Sequence, residues 1–306
     1  MTWSLFFAQM LNGFQLGVLL FLLSAGLTLV LGIMNFVNLA HGSLFMMGAY
    51  FAVASYGATN SFVLAAIAAV VGSLLLGLLL ERSILSKLYA RDHLYQVLAT
   101  FGVILVFNEL ARVVWGQSAI FLDVPQALSD TVNLFGLDYP AYRLAIIGVG
   151  LIVGLALYLV IHKTRVGMLI RAGASDAGMV SALGVNIKLI NTLVFGVGAA
   201  LAGLAGLMAA PILSVQPGMG EPILILTLVV LVTGGIGSIR GAFYGAIIVG
   251  MVDTMGRAFL PAILKQVVER TLAQAAGPAI ASILIYLLMA VVIALRPSGL
   301  FPVKHG

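Results

Sequence analysis

FFAQMLNGFQLGVLLFLLSAGLTLVLG, residues 6–32, contains no Asp, Glu, Lys or Arg. It exceeds the ~20 apolar residues that a helix needs to cross a hydrocarbon core. The same silence continues outward, since no residue from Met1 to Leu80 carries one of those four charged side chains. A charge at the middle of a spanning helix costs about 2.5–3.5 kcal/mol on insertion scales, and an uncharged run of this length is what that penalty selects. Across all 306 residues, 62% are hydrophobic and 8% are charged, where an ordinary soluble domain carries about 25% charged residues. The sequence therefore specifies an all-α, polytopic membrane helix bundle. The first run lacks the basic region that precedes a cleavable signal, so it is expected to be a retained span.

Apolar runs follow at about 36–56 and 62–80, then a basic segment, ERSILSKLYARDH (81–93), with Arg82, Lys87 and Arg91. Further runs occupy about 97–114 and 144–161, separated by a loop holding Asp123, Asp130 and Asp138. Basic residues gather in the cytoplasmic loops of membrane proteins, which places 81–93 inside and the acidic loop outside. A sixth run ends near Ala210. Two short apolar pieces, about 223–233 and 243–251, flank GGIGSIRG, and a last run, about 279–295, precedes Arg296 and Lys304. Eight or nine membrane helices are expected, with the N-terminus outside and the C-terminus cytoplasmic. The short pieces either cross fully or form a re-entrant hairpin, which lipid tolerates only under protein cover. LPAILKQVVERTLAQ (260–274) reads as an interfacial amphipathic helix, or else marks an error in that topology. Glycines four apart, at Gly13/Gly17, Gly150/Gly154 and Gly237/Gly241/Gly245, offer flat faces for close helix approach.

Two stretches are polar enough to carry function. KTRVGMLIRAGASDAGMVSALGVNIKLIN (163–191) holds Lys163, Arg165, Arg171 and Lys188 against one acid, Asp176. Ser175 and Asp176 have the oxygens that cap a helix start, and Gly184 suits a helix end, so a short helix is predicted over 177–183. A capped helix between two spans, facing the basic side, is a handle for another protein. The second stretch, 32–50, places Asn35, Asn38, His41 and Ser43 at the mouth of a span. An unpartnered amide in lipid costs several kcal/mol, so these groups face helices, water or a cavity. Their spacing of three allows Asn35, Asn38 and His41 one helical face. Helix–helix hydrogen bonding and a translocation pathway both account for them, and Gly42 and Gly48 permit the close approach that either needs. Glu109 and Arg112, three apart, are expected to form a structural pair.

Other chemistries are excluded by what the chain lacks. There is no cysteine, hence no disulfide and no thiolate metal site. No HExxH and no GxxxxGK[ST] occurs, so neither that zinc site nor a phosphate cradle is encoded. No nucleophile–base pair is legible, and an enzyme is not expected. The net charge of +5 reflects basic loops rather than a nucleic-acid surface.

GIMNFVNLAHGSLFMMGAYFA (32–52), RVGMLIRAGASDAGMVSALGVN (165–186), LVVLVTGGIGSIRGAFYGAIIVG (228–250) and LRPSGLF (295–301) together resemble the LivH-type permeases of high-affinity branched-chain amino-acid ABC importers. The likeness runs nearly end to end. It implies a single transmembrane permease domain over 1–306, paired with a second, homologous permease of LivM type. Two cytoplasmic ATPases would carry ATP and Mg, an extracytoplasmic binding protein would deliver a small polar solute such as an amino acid, and this chain would bind no cofactor and no metal. The central loop would be the counterpart of the ATPase-docking loop, with Arg171, Ala174, Asp176, Ala182 and Gly184 at matching positions. Gly173-Ala174-Ser175 departs there from the Glu-Ala-Ala of importers in general. Asn35, Asn38, His41, Gly42 and Ser43 are the candidate pathway residues. The likeness leaves urea, short amides and other amino acids as alternative cargo. A stand-alone channel or secondary transporter would instead require membrane-embedded charges.

Overall fold

The structure, a computed structural model, describes residues 3–134 and 136–301. Lys304 and His305 of the basic tail lie outside the described residues. The chain is all-α apart from one hairpin. Its helices are α1 (Trp3–Met34), α2 (His41–Thr59), α3 (Phe62–Ser83), α4 (His93–Trp115), α5 (Ala141–Lys163), α6 (Arg165–Ser175), α7 (Ala177–Ala182), α8 (Ile187–Ala209), α9 (Gly220–Gly234), α10 (Ile239–Leu264) and α11 (Arg270–Leu295). Seven of them, α1, α3, α4, α5, α8, α10 and α11, are long and apolar enough to cross a membrane. With the buried 19-residue α2 and the 15-residue α9 beside them, the count is roughly the eight or nine membrane helices expected. The chain is a multi-pass membrane protein.

Several helix starts fall where a side-chain oxygen satisfies a first-turn N–H. Ser61 Oγ accepts from Leu64 N before α3, Thr164 Oγ1 from Gly167 N before α6, and Ser238 Oγ from Gly241 N before α10. The short strands β1 (Thr131–Leu134) and β2 (Leu137–Pro140) pair antiparallel, with Val132 opposite Tyr139. This hairpin lies in the acidic loop and was not foreseen in an otherwise helical reading.

The chain divides into two compact units. The first comprises Met1–Phe21, Val124–Leu151 and Leu226–Val303. Within it Gly13 and Gly17 meet α10: a Cβ at Gly17 would lie 2.8 Å from Ile247 Cα, and Gly250 abuts both glycines in return. Gly241 and Gly245 face the end of α9 at Val230 and Gly234. Gly237 instead sits in the preceding turn with φ +80, so it is not part of that flat face. The tail folds back on the same turn, with Leu300 N and Phe301 N donating to the Thr233 and Gly234 carbonyls at 2.9 Å.

Two expectations fail in this unit. The apolar piece at 243–251 is not short; it belongs to the 26-residue α10. Nor is 260–274 one interfacial helix. Residues 260–264 finish α10, a turn follows, and α11 begins at Arg270. Arg257 lies within α10, bonded through Nε to the buried Asp253 Oδ1 at 2.7 Å and through Nη2 to Ser282 Oγ of α11 at 3.1 Å. These partners let a basic residue sit inside a long apolar helix, which sequence hydropathy reads as a break. Pro261 is accommodated within α10 because Gly277 of α11 leaves room for its ring.

The second unit comprises Leu22–Asp123 and Ile152–Ile225, with the last residues of the chain. Its centre is α2, wedged against α3 and α8. Backbones approach closely there because side chains are absent at the crossings. A Cβ on Gly48 would lie 2.7 Å from the Gly203 carbonyl oxygen, and one on Gly203 would lie 2.5 Å from the Ala69 oxygen of α3. Around these points Phe45, Tyr50, Phe195 and Leu207 are buried.

Candidate functional site

Two features of the second unit are built for more than packing. The first is a break between α1 and α2. Residues 35–40 are not helical, so Asn35, Asn38 and His41 do not share a helical face, and the second span begins at His41 rather than at about 36. Asn35 adopts φ 47, a left-handed conformation that ends a helix and that Asn tolerates better than most residues. The exposed backbone N–H groups of the break are met by side chains of α4. Gln96 Oε1 accepts from Val37 N at 3.2 Å, and Thr100 Oγ1 accepts from Leu39 N at 3.3 Å. Gln96 is itself held by the Leu88 and Arg91 carbonyls. Neither residue stood out in the sequence, since a lone Gln and Thr in an apolar run show nothing of what they face.

The candidate pathway residues take separate roles at this break. Asn35 is exposed. Asn38 is 1% exposed; its Oδ1 accepts from Ala40 N at 3.1 Å while its Nδ2 has no partner. His41 is equally buried, and its Nε2 lies 3.1 Å from the Leu23 carbonyl. A carbonyl only accepts, so Nε2 carries the hydrogen and Nδ1 is left as an acceptor, also unpartnered. Gly42 lets α2 cross the start of α9, since a Cβ there would lie 2.6 Å from the Gly220 oxygen. Ser43 is buried in the first turn of α2, its N donating to Ala40 O at 3.0 Å. The Thr28 hydroxyl of α1 is a further buried group without a partner. Buried polar atoms are nearly always satisfied. Here a donor, an acceptor and a hydroxyl are left over, a set that can exchange hydrogen bonds with a polar solute without gripping a charge.

The second feature is the loop 163–191. α7 forms over Ala177–Ala182, one residue shorter than the predicted helix. Asp176 Oδ1 caps it, accepting from Met179 N at 2.9 Å, and Gly184 closes it at φ +85. α6 precedes it and was not foreseen. Both short helices abut α8, whose start is capped by Asn186 Oδ1 on Leu189 N at 3.1 Å. Of the five candidate docking residues, three have work inside the chain: Asp176 caps, Gly184 turns, and Arg171 donates to the Ile161 carbonyl of α5. Ala174 is half-buried and Ala182 exposed. The two large side chains turned outward at α7 are apolar, with Met179 66% and Leu183 at its C-cap 77% exposed beside the exposed Ser181, while Val180 is buried. An apolar residue in an apolar sequence draws no notice, so the only signal of these two in the sequence is their place inside the polar island.

Elsewhere in the second unit Glu109 and Arg112 form the expected pair at 2.6 Å, both exposed. An open cleft of about 290 Å³ lies beside Arg112, Gln117, Gln216 and Pro217. Among the described residues no three of His, Asp and Glu gather to hold a metal ion.

The family described as "Branched-chain amino acid transport system / permease component" matches residues 9–293. The high-affinity branched-chain amino acid transport system permease protein LivH of Escherichia coli (strain K12) is 29% identical over 278 residues, covering 86% of this chain and 90% of that protein. Its namesake in Salmonella typhimurium shows the same identity and coverage. The corresponding permease BraD of Pseudomonas aeruginosa is 30% identical over 264 residues, covering 81% and 85%. No solved structure matches the chain.

Proposed function

Because the chain belongs to the branched-chain amino acid transport system permease family, we propose that it is the permease subunit of an ATP-driven, binding-protein-dependent importer of branched-chain amino acids. In this reading it pairs with a second, homologous permease in a bacterial inner membrane. Two cytoplasmic ATPases, which hold ATP and Mg, grip the 163–191 loop, and an extracytoplasmic protein delivers the solute. The observation that carries the coupling role is α7: a capped helix presenting Met179 and Leu183 to solvent beside the start of α8. Apolar side chains held outward on a rigid turn are anchors for a partner's groove.

ATP binding draws the ATPases together and carries α7 with them. α8 transmits that movement into the helices packed on it. The break at 35–40 is where the pathway passes, because its unpartnered Asn38 and His41 groups can meet a passing solute in succession. In this reading nine segments cross, the N-terminus lies outside, and the loops 81–93 and 163–191 lie in the cytoplasm, the side that their basic residues favour. The deciding experiment reconstitutes the permease pair with its ATPases and binding protein in vesicles and follows labelled leucine against labelled urea. ATP-dependent, saturable leucine uptake is expected. Uptake that persists without ATP or ATPases would refute the reading.

A further inference from the structure

Glu81, on the last turn of α3, is 3% exposed. No salt bridge among the described residues reaches it. Its two oxygens are instead held by two hydroxyls from different segments. Tyr89 Oη donates to Oε1 at 2.8 Å, and Thr192 Oγ1, on the second turn of α8, donates to Oε2 at 2.9 Å. A carboxylate buried without a cation is expensive, and among the described residues two O–H donors compensate it. Both donors lead elsewhere. The Tyr89 ring stands edge-on to Phe36, 5.4 Å between centroids, and Phe36 is fully buried in the α1–α2 break. Burial, and then the neighbouring Glu81, push the Tyr89 phenol upward, so it remains a donor throughout the physiological range. Thr192 has a second acceptor, the Lys188 carbonyl one turn back, at 3.0 Å. One hydroxyl proton thus has two seats, on Glu81 or within its own helix.

We propose that Glu81 is a positioning residue that links the first turns of α8, beside the docking helix, to the α1–α2 break. The inference rests on the functional reading above. With α8 in the arrangement seen here, Thr192 holds the carboxylate, and the carboxylate holds Tyr89 against Phe36. A shift of α8 lets the Thr192 proton turn to the Lys188 carbonyl, which keeps the hydroxyl satisfied. Glu81 is then free to follow Tyr89, and the seat of Phe36 in the break changes with it. The alternative acceptor makes release inexpensive, which a purely structural bond would not need.

The test compares Tyr89→Phe, Thr192→Val and Thr192→Ser in the full transporter in vesicles, reading labelled-leucine uptake and ATP hydrolysis in the same sample. Tyr89→Phe keeps the ring on Phe36 and removes only the donor. In both Tyr89→Phe and Thr192→Val the solute moved per ATP hydrolysed should fall about tenfold, the effect on an equilibrium of losing one hydrogen bond to a charged group. Thr192→Ser, which keeps the hydroxyl, should restore it. An unchanged ratio, a parallel loss of uptake and hydrolysis, or failure of the Tyr89→Phe complex to assemble would each overturn the proposal in favour of ordinary packing. A wild-type complex without ATP-dependent uptake would instead refute the functional reading, before any variant is compared.

Discussion

Replacing Met179 and Leu183 by serine should release the ATPases from this permease while leaving its fold intact. Full burial of such a side chain is worth about 1.5–3 kcal/mol. Met179 is 66% and Leu183 77% exposed, so docking has roughly two-thirds to three-quarters of each value to gain, together about 2–4 kcal/mol. That corresponds to an affinity about 30- to 1,000-fold weaker in the double variant. The assay is a titration of purified ATPase against the detergent-solubilised permease pair, read by fluorescence anisotropy, with the melting temperature of the permease as a check on folding. Val267→Ser supplies the control. Val267 is 84% exposed but lies in the turn between α10 and α11, which the proposed topology puts on the opposite side, so its affinity should not move. A change of less than about threefold in the double variant, roughly 0.6 kcal/mol, or an equal loss in Val267→Ser, would show that α7 is not what the ATPase holds.

Four further outcomes follow from named contacts. Asp176→Ala should loosen α7 by about 1 kcal/mol while Asp176→Asn, still a good cap, should not; amide exchange over 177–182 separates the two. Replacing Gln96 by Ala and Thr100 by Val strips the Val37 and Leu39 N–H groups of their acceptors, and each loss should cost about 1–3 kcal/mol, seen as a lowered melting temperature. Asn38→Ala should reduce leucine uptake several-fold and, because it strands the buried Ala40 N–H that Oδ1 accepts from, should also cost about 1–3 kcal/mol in stability; unaltered uptake would remove Asn38 from the pathway. Gly203→Val should destabilise the second unit by about 3 kcal/mol, since the Ala69 carbonyl and Ser73 leave no room for it, and its thermal unfolding should show this directly.

Particular residues show how far the sequence could be read. The absence of charge before Glu81 and the length of the apolar runs were enough for the membrane bundle, because lipid penalises every misplaced charge and leaves little freedom. The same rule misread α10, where Arg257 looked like a break in hydropathy and proved to be neutralised by Asp253. Asp176 and Gly184 were legible because capping is local chemistry, decided within a few residues. Asn35 and Asn38 were legible as polar groups but not as a break, since helix termination at Asn35 depends on Gln96 and Thr100 meeting the freed N–H groups from about sixty residues away.

By itself the sequence determined that this chain lives in a bilayer, roughly where most of its spans run, and that one capped turn stands between the fifth and sixth crossings. Hydrophobicity and capping act over one span or one turn, so a linear reading reaches them. Only the tertiary structure decided which polar groups are satisfied and which are left over: the orphaned Asn38 and His41 nitrogens, the outward Met179 and Leu183, and the carboxylate of Glu81 held between Tyr89 and Thr192. A hydrogen bond is made or missed over a few tenths of an ångström between groups remote in the chain, and that distance exists only once the helices have packed.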